Sequence, residues 1–411
     1  MKSLVVDLFA GPGGWSHALH VLGIRDVGLE WDEWACKTRA AAGQLTVRTD
    51  VAMYPVWPLV GRTRGVIASP PCQAWSMAGK RLGLLDQPLV HQAVADLAIG
   101  RDTREELLAA CKDPRSLLAA EPMRYLRALH TVGEPEWIVM EEVPDVLPLW
   151  RQYAAILRGW GFSVWTGILN AADYGVPQTR RRAILIASRT RTAAPPPPTH
   201  AQAAEPEGLF GPGRTQWVSM AEALGWGATD RPVPTVCAGG GPGGGPEPFP
   251  SGARKTLTDA RDRGTWKPPG PRPASPRTRL RPKRSTLPAC TCGQHPWAWS
   301  LRSNNQANAT IRSATEPAGT LFFGHRANEC AWVAEPHPPG AAAHGAAPES
   351  IRITATEAGI LQSFPADYPW AGNKGQQFSQ IGNAVPPLLA GHLLAPHLGK
   401  TLTRSDFTLA A

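Results

Sequence analysis

Short apolar runs, each closed by glycine, proline or an acidic residue, alternate with stretches of helical period through the first half of the chain. Leu4 to Phe9 is one such run. Gly11-Pro12-Gly13-Gly14 ends it, and helical spacing follows from Trp15 to Leu22. Val27 to Glu30 is a second run, with a helix predicted from Asp32 to Ala42. Gly65 to Ala68, Trp137 to Met140 and Ala183 to Ala187 read the same way. Strands alternating with helices predict an α/β fold whose mostly parallel sheet is covered on both faces.

The pattern breaks at Ala193. Pro195 to Pro198 form a stiff extended linker, and Gly239 to Gly245 hold six glycines around Pro242. Order returns near Ala298. Thr354-x-x-Glu357 before Ala358-Gly359-Ile360-Leu361 predicts a capping box that opens a helix. Val385 to Leu398 reads as a final apolar helix.

Composition adds limits to this picture. The 411 residues include 41 Gly and 42 Pro, well above average use, so part of the chain is loop or linker. At 43% hydrophobic residues, a sizeable core is available. The apolar run at the start is too short for a secretory signal, and no long apolar stretch predicts a membrane span. Seven cysteines without a small-domain framework suit a reducing, cytoplasmic setting. The formal net charge is +9. Between Ser251 and Cys290 stand eleven basic and two acidic residues, so this block carries the whole excess. Such a block implies a polyanionic partner, with nucleic acid first.

Five motifs carry candidate chemistry. Asp7-Leu8-Phe9-Ala10-Gly11-Pro12-Gly13-Gly14 follows a strand and permits close backbone approach to a ligand at a helix N-terminus. Glu30, about twenty residues on, is placed to accept bonds from ribose hydroxyls, and Trp31 is placed to stack on a nucleobase. This pattern fits a dinucleotide and S-adenosylmethionine equally. Ser69-Pro70-Pro71-Cys72-Gln73-Ala74-Trp75-Ser76 sets a thiol at a strand's carboxyl end, on a backbone stiffened by two prolines. Glu141-Glu142-Val143-Pro144 sets two carboxyls at another strand end. Their adjacency favours one staying protonated near neutrality, and strand alternation points only one at the site. In Gln178-Thr179-Arg180-Arg181-Arg182, alternation puts Arg180 and Arg182 on one face, where guanidinium groups suit carbonyl or phosphate oxygens. Gln380-Ile381-Gly382-Asn383-Ala384-Val385-Pro386-Pro387 reads as a turn before a helix.

In this order, and with Leu361-Gln362-Ser363-Phe364-Pro365, these blocks resemble the DNA (cytosine-5)-methyltransferase family over residues 1 to about 189 and about 350 to 398. The resemblance implies a Rossmann-like methyltransferase sheet with a second, irregular target-recognition domain. Residues 1–189 would form the first part of the catalytic domain, 190–349 the variable recognition domain containing the basic block, and 350–411 the return to the catalytic domain. It implies S-adenosylmethionine as cofactor, held by Phe9, Gly11, Gly13, Gly14, Glu30, Trp31, Asp50, Val51, Pro70, Asn383 and Ala384. It implies that Cys72 attacks carbon-6 of a flipped cytosine, with Glu141 on ring N3, Arg182 on the base carbonyl and Arg180 beside it. Gln73, Ser76 and Gln178 would contact substrate.

The implied partner is duplex DNA, with a paired restriction endonuclease, in a monomer acting in bacterial cytoplasm on bacterial or phage DNA. The rival readings are a transfer-RNA cytosine methyltransferase, a catalytically silent DNA-binding relative and a nicotinamide oxidoreductase. No metal is expected, since Cys290-Thr291-Cys292, His295 and Cys330 lack the usual zinc spacing. The chain departs from the family at Glu142, where Asn is usual, at Ser69, usually Gly, at Trp75, usually Phe, and at Phe378, usually Tyr. About 25 extra residues lie between Asp86 and Asp113, and Asp113-x-Arg115 resumes the family pattern.

Overall fold

The computed structural model describes residues 3–71, 82–208, 212–224, 239–240, 246–247, 299–302, 311–321, 330–334, 351–402 and 407. Cys72, Gln73, Trp75 and Ser76 lie outside these residues, as do the basic block and Cys290, Cys292 and His295.

The alternating pattern becomes β1 (Leu4–Leu8), α1 (Gly14–Val21), β2 (Asp26–Glu30), α2 (Glu33–Ala41), β3 (Leu45–Arg48) and β4 (Thr63–Ala68). Then follow α3 (Leu82–Ala98), α4 (Arg104–Ala110), α5 (Glu121–His130), β5 (Trp137–Glu142), α6 (Leu147–Gly159), β6 (Ser163–Asn170), β7 (Gln178–Thr179) and β8 (Arg181–Ser188). One sheet of seven strands has the order β3-β2-β1-β4-β5-β8-β6. The first five are mutually parallel, and β8 runs antiparallel between β5 and β6.

Both faces of the sheet are covered, because successive side chains point to opposite sides. Val6, Leu8, Ile138, Met140 and Leu185 pack with α3, α5 and α6 through residues such as Val94, Leu126, Trp150 and Tyr153. Val5, Trp137, Val139, Ile184 and Ile186 pack on the other side with Trp15 and Leu19 of α1 and Leu389 and Leu393 of the last helix. The sixfold run of buried positions in β5 is the mark of a strand enclosed on both faces. Burying Ile138, Val139 and Met140 completely contributes roughly 1.5–3 kcal/mol each.

A separate apolar cluster joins Met220 of the short α7 (Met220–Ala223) to Leu301, Trp332, Ile353 and Leu361. Its four-stranded sheet has the order Ile311–Ser313, Trp299–Arg302, Ala331–Ala334, Ile351–Arg352. β7 pairs in parallel with Ala318–Gly319, tying the Gln-x-Arg motif to this second region.

The capping box opens α8 (Ala355–Leu361) as the sequence predicts. Thr354 Oγ1 accepts from Glu357 N at 3.0 Å, and Glu357 Oε2 accepts from Thr354 N at 2.7 Å. The Gly382-Asn383 motif differs from its predicted turn. It forms the last turn of α9 (Lys374–Asn383), which a second capping box at Asn373 and Gln376 opens nine residues upstream. Pro386 and Pro387 then delay the last helix, α10 (Pro387–Leu398), past its predicted start at Val385. Among the described residues no helix is long and apolar enough to cross a membrane.

Candidate active site

The glycine turn leaves β1 through left-handed backbone at Phe9 (φ 62°), Gly11 (φ 53°) and Gly13 (φ 98°). Space above Gly11 is open, whereas a side chain on Gly14 would meet the Val385 carbonyl oxygen at 2.0 Å. Gly11 N donates to Glu30 Oε2 at 2.7 Å, and Trp31 N and Asp32 N donate to Glu30 Oε1 at 2.9 and 2.7 Å. Three backbone donors thus aim the carboxyl at the mouth of the turn. They offset part of its burial, which otherwise pushes the Glu30 pKa up. Beneath the turn, Ser16 Oγ donates to Asp26 and Arg39 donates to Ser16, fixing α1 to β2 and α2.

A cavity of about 1190 Å³ opens at the carboxyl ends of β1, β2, β4 and β5. Phe9, Gly11, Glu30, Trp31, Asp50, Val51, Pro70 and Asn383 line it, together with Glu141, Arg180 and Arg182. A nucleoside cofactor fits this wall. Trp31 is 73% exposed and presents an aromatic face to the cavity, and Glu30, which accepts three backbone bonds, keeps one lone pair on Oε2 for a ribose hydroxyl.

At the opposite end, Arg182 Nε lies 2.9 Å from Glu141 Oε1, with both side chains 7% exposed. Arg180 is buried and donates from Nη1 to Gly382 O at 3.1 Å, while Arg181 is exposed. The predicted alternation of the three arginines therefore holds. The two carboxyls do not divide as strand alternation predicts, because both line the cavity. The strand ends at Glu142, whose Oε2 turns back to accept from Val143 N. Glu142 is also the carboxyl whose pKa is pushed well up, by burial first and then by the charge of Glu141.

This has a measurable consequence. An unfolded chain ionises such a group near pH 4.3, so the folded state loses stability as pH rises from there toward the raised folded value. Glu142→Gln carries no charge to suppress. Its melting temperature is expected to exceed that of the wild type by a margin that widens as the pH rises above about 5. A constant margin in thermal melts would contradict the uncharged state of Glu142.

Other predicted site residues do not line the cavity. Gly13 sits against the Gln44 side chain, and Gly14 against the chain before α10. Gln178 is fully buried and donates to Leu361 O at 3.3 Å. Ala384 packs with Phe364 and Tyr368. Cys330 is buried, which pushes its thiol up to about 12. Ser69 has a local explanation, since its hydroxyl accepts from Trp15 Nε1 at 2.9 Å and pins the backbone leading to Cys72. Sequence reading missed Glu121, Arg124 and Tyr125, which hold the loop at Asp50. Arg124 donates to Val51 O and Tyr54 O at 2.7 and 3.0 Å, and Tyr125 Oη donates to Val51 O at 2.7 Å. They carry no motif, and only their spacing on α5 hints at a shared face.

The fold and cavity define an α/β enzyme built around a nucleoside-sized site at the ends of parallel strands. The sequence model described as C-5 cytosine-specific DNA methylase matches residues 4–91, 108–210 and 295–397, and the chain belongs to that family. It is 27% identical to Type II methyltransferase M.DdeI of Desulfomicrobium norvegicum, over 94% of this chain and 86% of that protein. It is 25% identical to Type II methyltransferase M.AplI of Arthrospira platensis, over 94% and 83%. Among solved structures, a DNA modification methyltransferase encoded within an E. coli prophage has the same fold, with a TM-score of 0.51 at 17% identity over 95% of this chain and 97% of that one. The S. pombe Dnmt2 methyltransferase also scores 0.51, at 13% identity over 97% and 99%. The chain is thus a DNA cytosine-5-methyltransferase.

Proposed function

We propose that the protein methylates carbon-5 of a cytosine flipped out of duplex DNA, through a transient bond between Cys72 and carbon-6. The observation that carries this reading is one cavity with two chemically distinct ends. Glu30 and Trp31 stand at a nucleoside end, and Glu141, Arg180 and Arg182 at a polar end. S-adenosylmethionine at the first end supplies an electrophilic methyl group. Glu30 would bind its ribose, Trp31 would pack on its adenine, and Asp50 would bind the adenine amino group.

At the second end, Glu141 hydrogen-bonds or protonates ring N3, which makes carbon-6 a better electrophile. The Cys72 thiolate adds there, and the electron pair moves to carbon-5, which takes the methyl group. The methyl donor leaves as S-adenosylhomocysteine, water takes the carbon-5 proton as the thiolate departs, and ring N3 returns its proton or hydrogen bond to Glu141, which restores the ring. Arg182 sits against Glu141 and meets negative charge as it grows on the base oxygen. Extracting the base costs a few kcal/mol, which contacts in the cavity offset.

The test is transfer of labelled methyl groups from S-adenosylmethionine to duplex DNA and to transfer RNA, followed by sequencing of the methylated positions. Label at carbon-5 of cytosine in a defined DNA sequence is expected. Label confined to transfer RNA, or none on either, would contradict the reading.

A further inference from the structure

The family match passes over residues 92–107, inside the extra segment between Asp86 and Asp113. The structure shows that this segment is folded in. Val90, Ala93, Val94 and Leu97 of α3 are buried against the sheet. The two ends of the segment meet at the buried carboxylate of Asp86, which accepts from Lys112 N, Asp113 N and Ser116 Oγ at 2.7, 2.9 and 2.7 Å. Closing the base in this way commits the intervening residues to one position.

That position is the cavity. Asp102, Arg104, Glu105 and Leu108 form part of its wall, alongside the loop from Asp50 to Met53. Arg104 links wall and loop. Its guanidinium donates to both oxygens of Asp102 at 2.8 and 2.7 Å, to Glu121 Oε1 at 2.6 Å and to Ala52 O at 3.2 Å. The other oxygen of Glu121, whose side chain is 4% exposed, accepts from Arg124 Nε at 3.0 Å. One carboxylate therefore couples two arginines that hold the same loop, Arg104 through the Ala52 carbonyl and Arg124 through those of Val51, Ala52 and Tyr54. Charge-assisted, forked contacts of this kind fix geometry better than single neutral bonds.

We propose that the inserted segment is a cofactor-retaining wall, in which Arg104 is a positioning residue that locks the 50–54 loop against the bound nucleoside. The proposal rests on the reading of this cavity as the S-adenosylmethionine site. A mobile loop would pay an ordering cost on each binding event, and Arg104 removes that cost in advance.

The test is calorimetric binding of S-adenosylhomocysteine to the full chain, with cofactor KM and kcat measured alongside. Arg104→Ala is expected to weaken binding about tenfold and to raise the cofactor KM in step. Its kcat at saturating cofactor is expected to change less than its KM. Leu108→Ser alters the wall without touching the ion pairs and is expected to weaken binding severalfold at an unchanged melting temperature. This second variant carries the test if Arg104→Ala lowers stability. Wild-type affinity in both variants, or kcat falling with no change in KM, would overturn the proposal alone. Absence of binding by the wild type would overturn the cavity assignment and the proposal with it.

Discussion

Cys72→Ala is expected to abolish methyl transfer, lowering kcat by on the order of 10⁴-fold or more, the scale of loss when a covalent nucleophile is removed. Carbon-5 of an intact cytosine ring is too weak a nucleophile to take a methyl group, and adding the thiolate at carbon-6 converts it into one. Among the described residues no cysteine lines the cavity, and the Glu141 carboxyl lies against Arg182. The cofactor end is built from other residues, so binding of S-adenosylhomocysteine is expected to stay near the wild-type level. Kinetics under single-turnover conditions, with calorimetry on the same samples, check both halves. Turnover that survives the substitution would refute the assignment of Cys72.

Glu141→Gln is expected to cost the second largest factor, roughly 10²–10⁴ in kcat, the usual contribution of a positioned acid. The amide keeps the size of the side chain and its place against Arg182, but it cannot give up a proton to ring N3. Arg182 Nε at 2.9 Å fixes where the Glu141 carboxyl sits, so the loss should appear in the chemical step rather than in DNA binding. Gel-shift affinity for duplex DNA within about twofold of wild type, beside the drop in kcat, is the expected pattern. A variant that turned over normally would move the acid to another residue.

The legibility of this protein in its sequence follows from where each signal resides. β1, β2, β4, β5 and β8 are short apolar runs with marked ends, and each is where the pattern puts it. β6 was not legible, because its apolar residues stand in adjacent pairs, Val164-Trp165 and Ile168-Leu169, rather than in alternation or an unbroken run, and all eight of its positions are half-buried. The start of α9 was missed because its signal is an Asn-Gln capping box rather than an apolar stripe. In the site, Glu30, Trp31, Glu141, Arg180 and Arg182 came from motifs at strand ends, and they line one cavity. Alternation failed for Glu142 because a strand's last residue is free to turn back on the next peptide. The hold on the Asp50 loop by Arg104, Glu121 and Arg124 was invisible, since it joins three separate stretches of chain through side chains that carry no motif.

The most direct test of the covalent mechanism uses duplex DNA carrying 5-fluorocytosine at the methylated position. Fluorine leaves no proton on carbon-5 to remove, so elimination stalls once the methyl group has moved. With S-adenosylmethionine present, a complex that survives denaturing electrophoresis is expected, and peptide mapping should place the DNA on Cys72. Efficient methylation of ordinary cytosine without any such attached species, or attachment at another residue, would contradict the account.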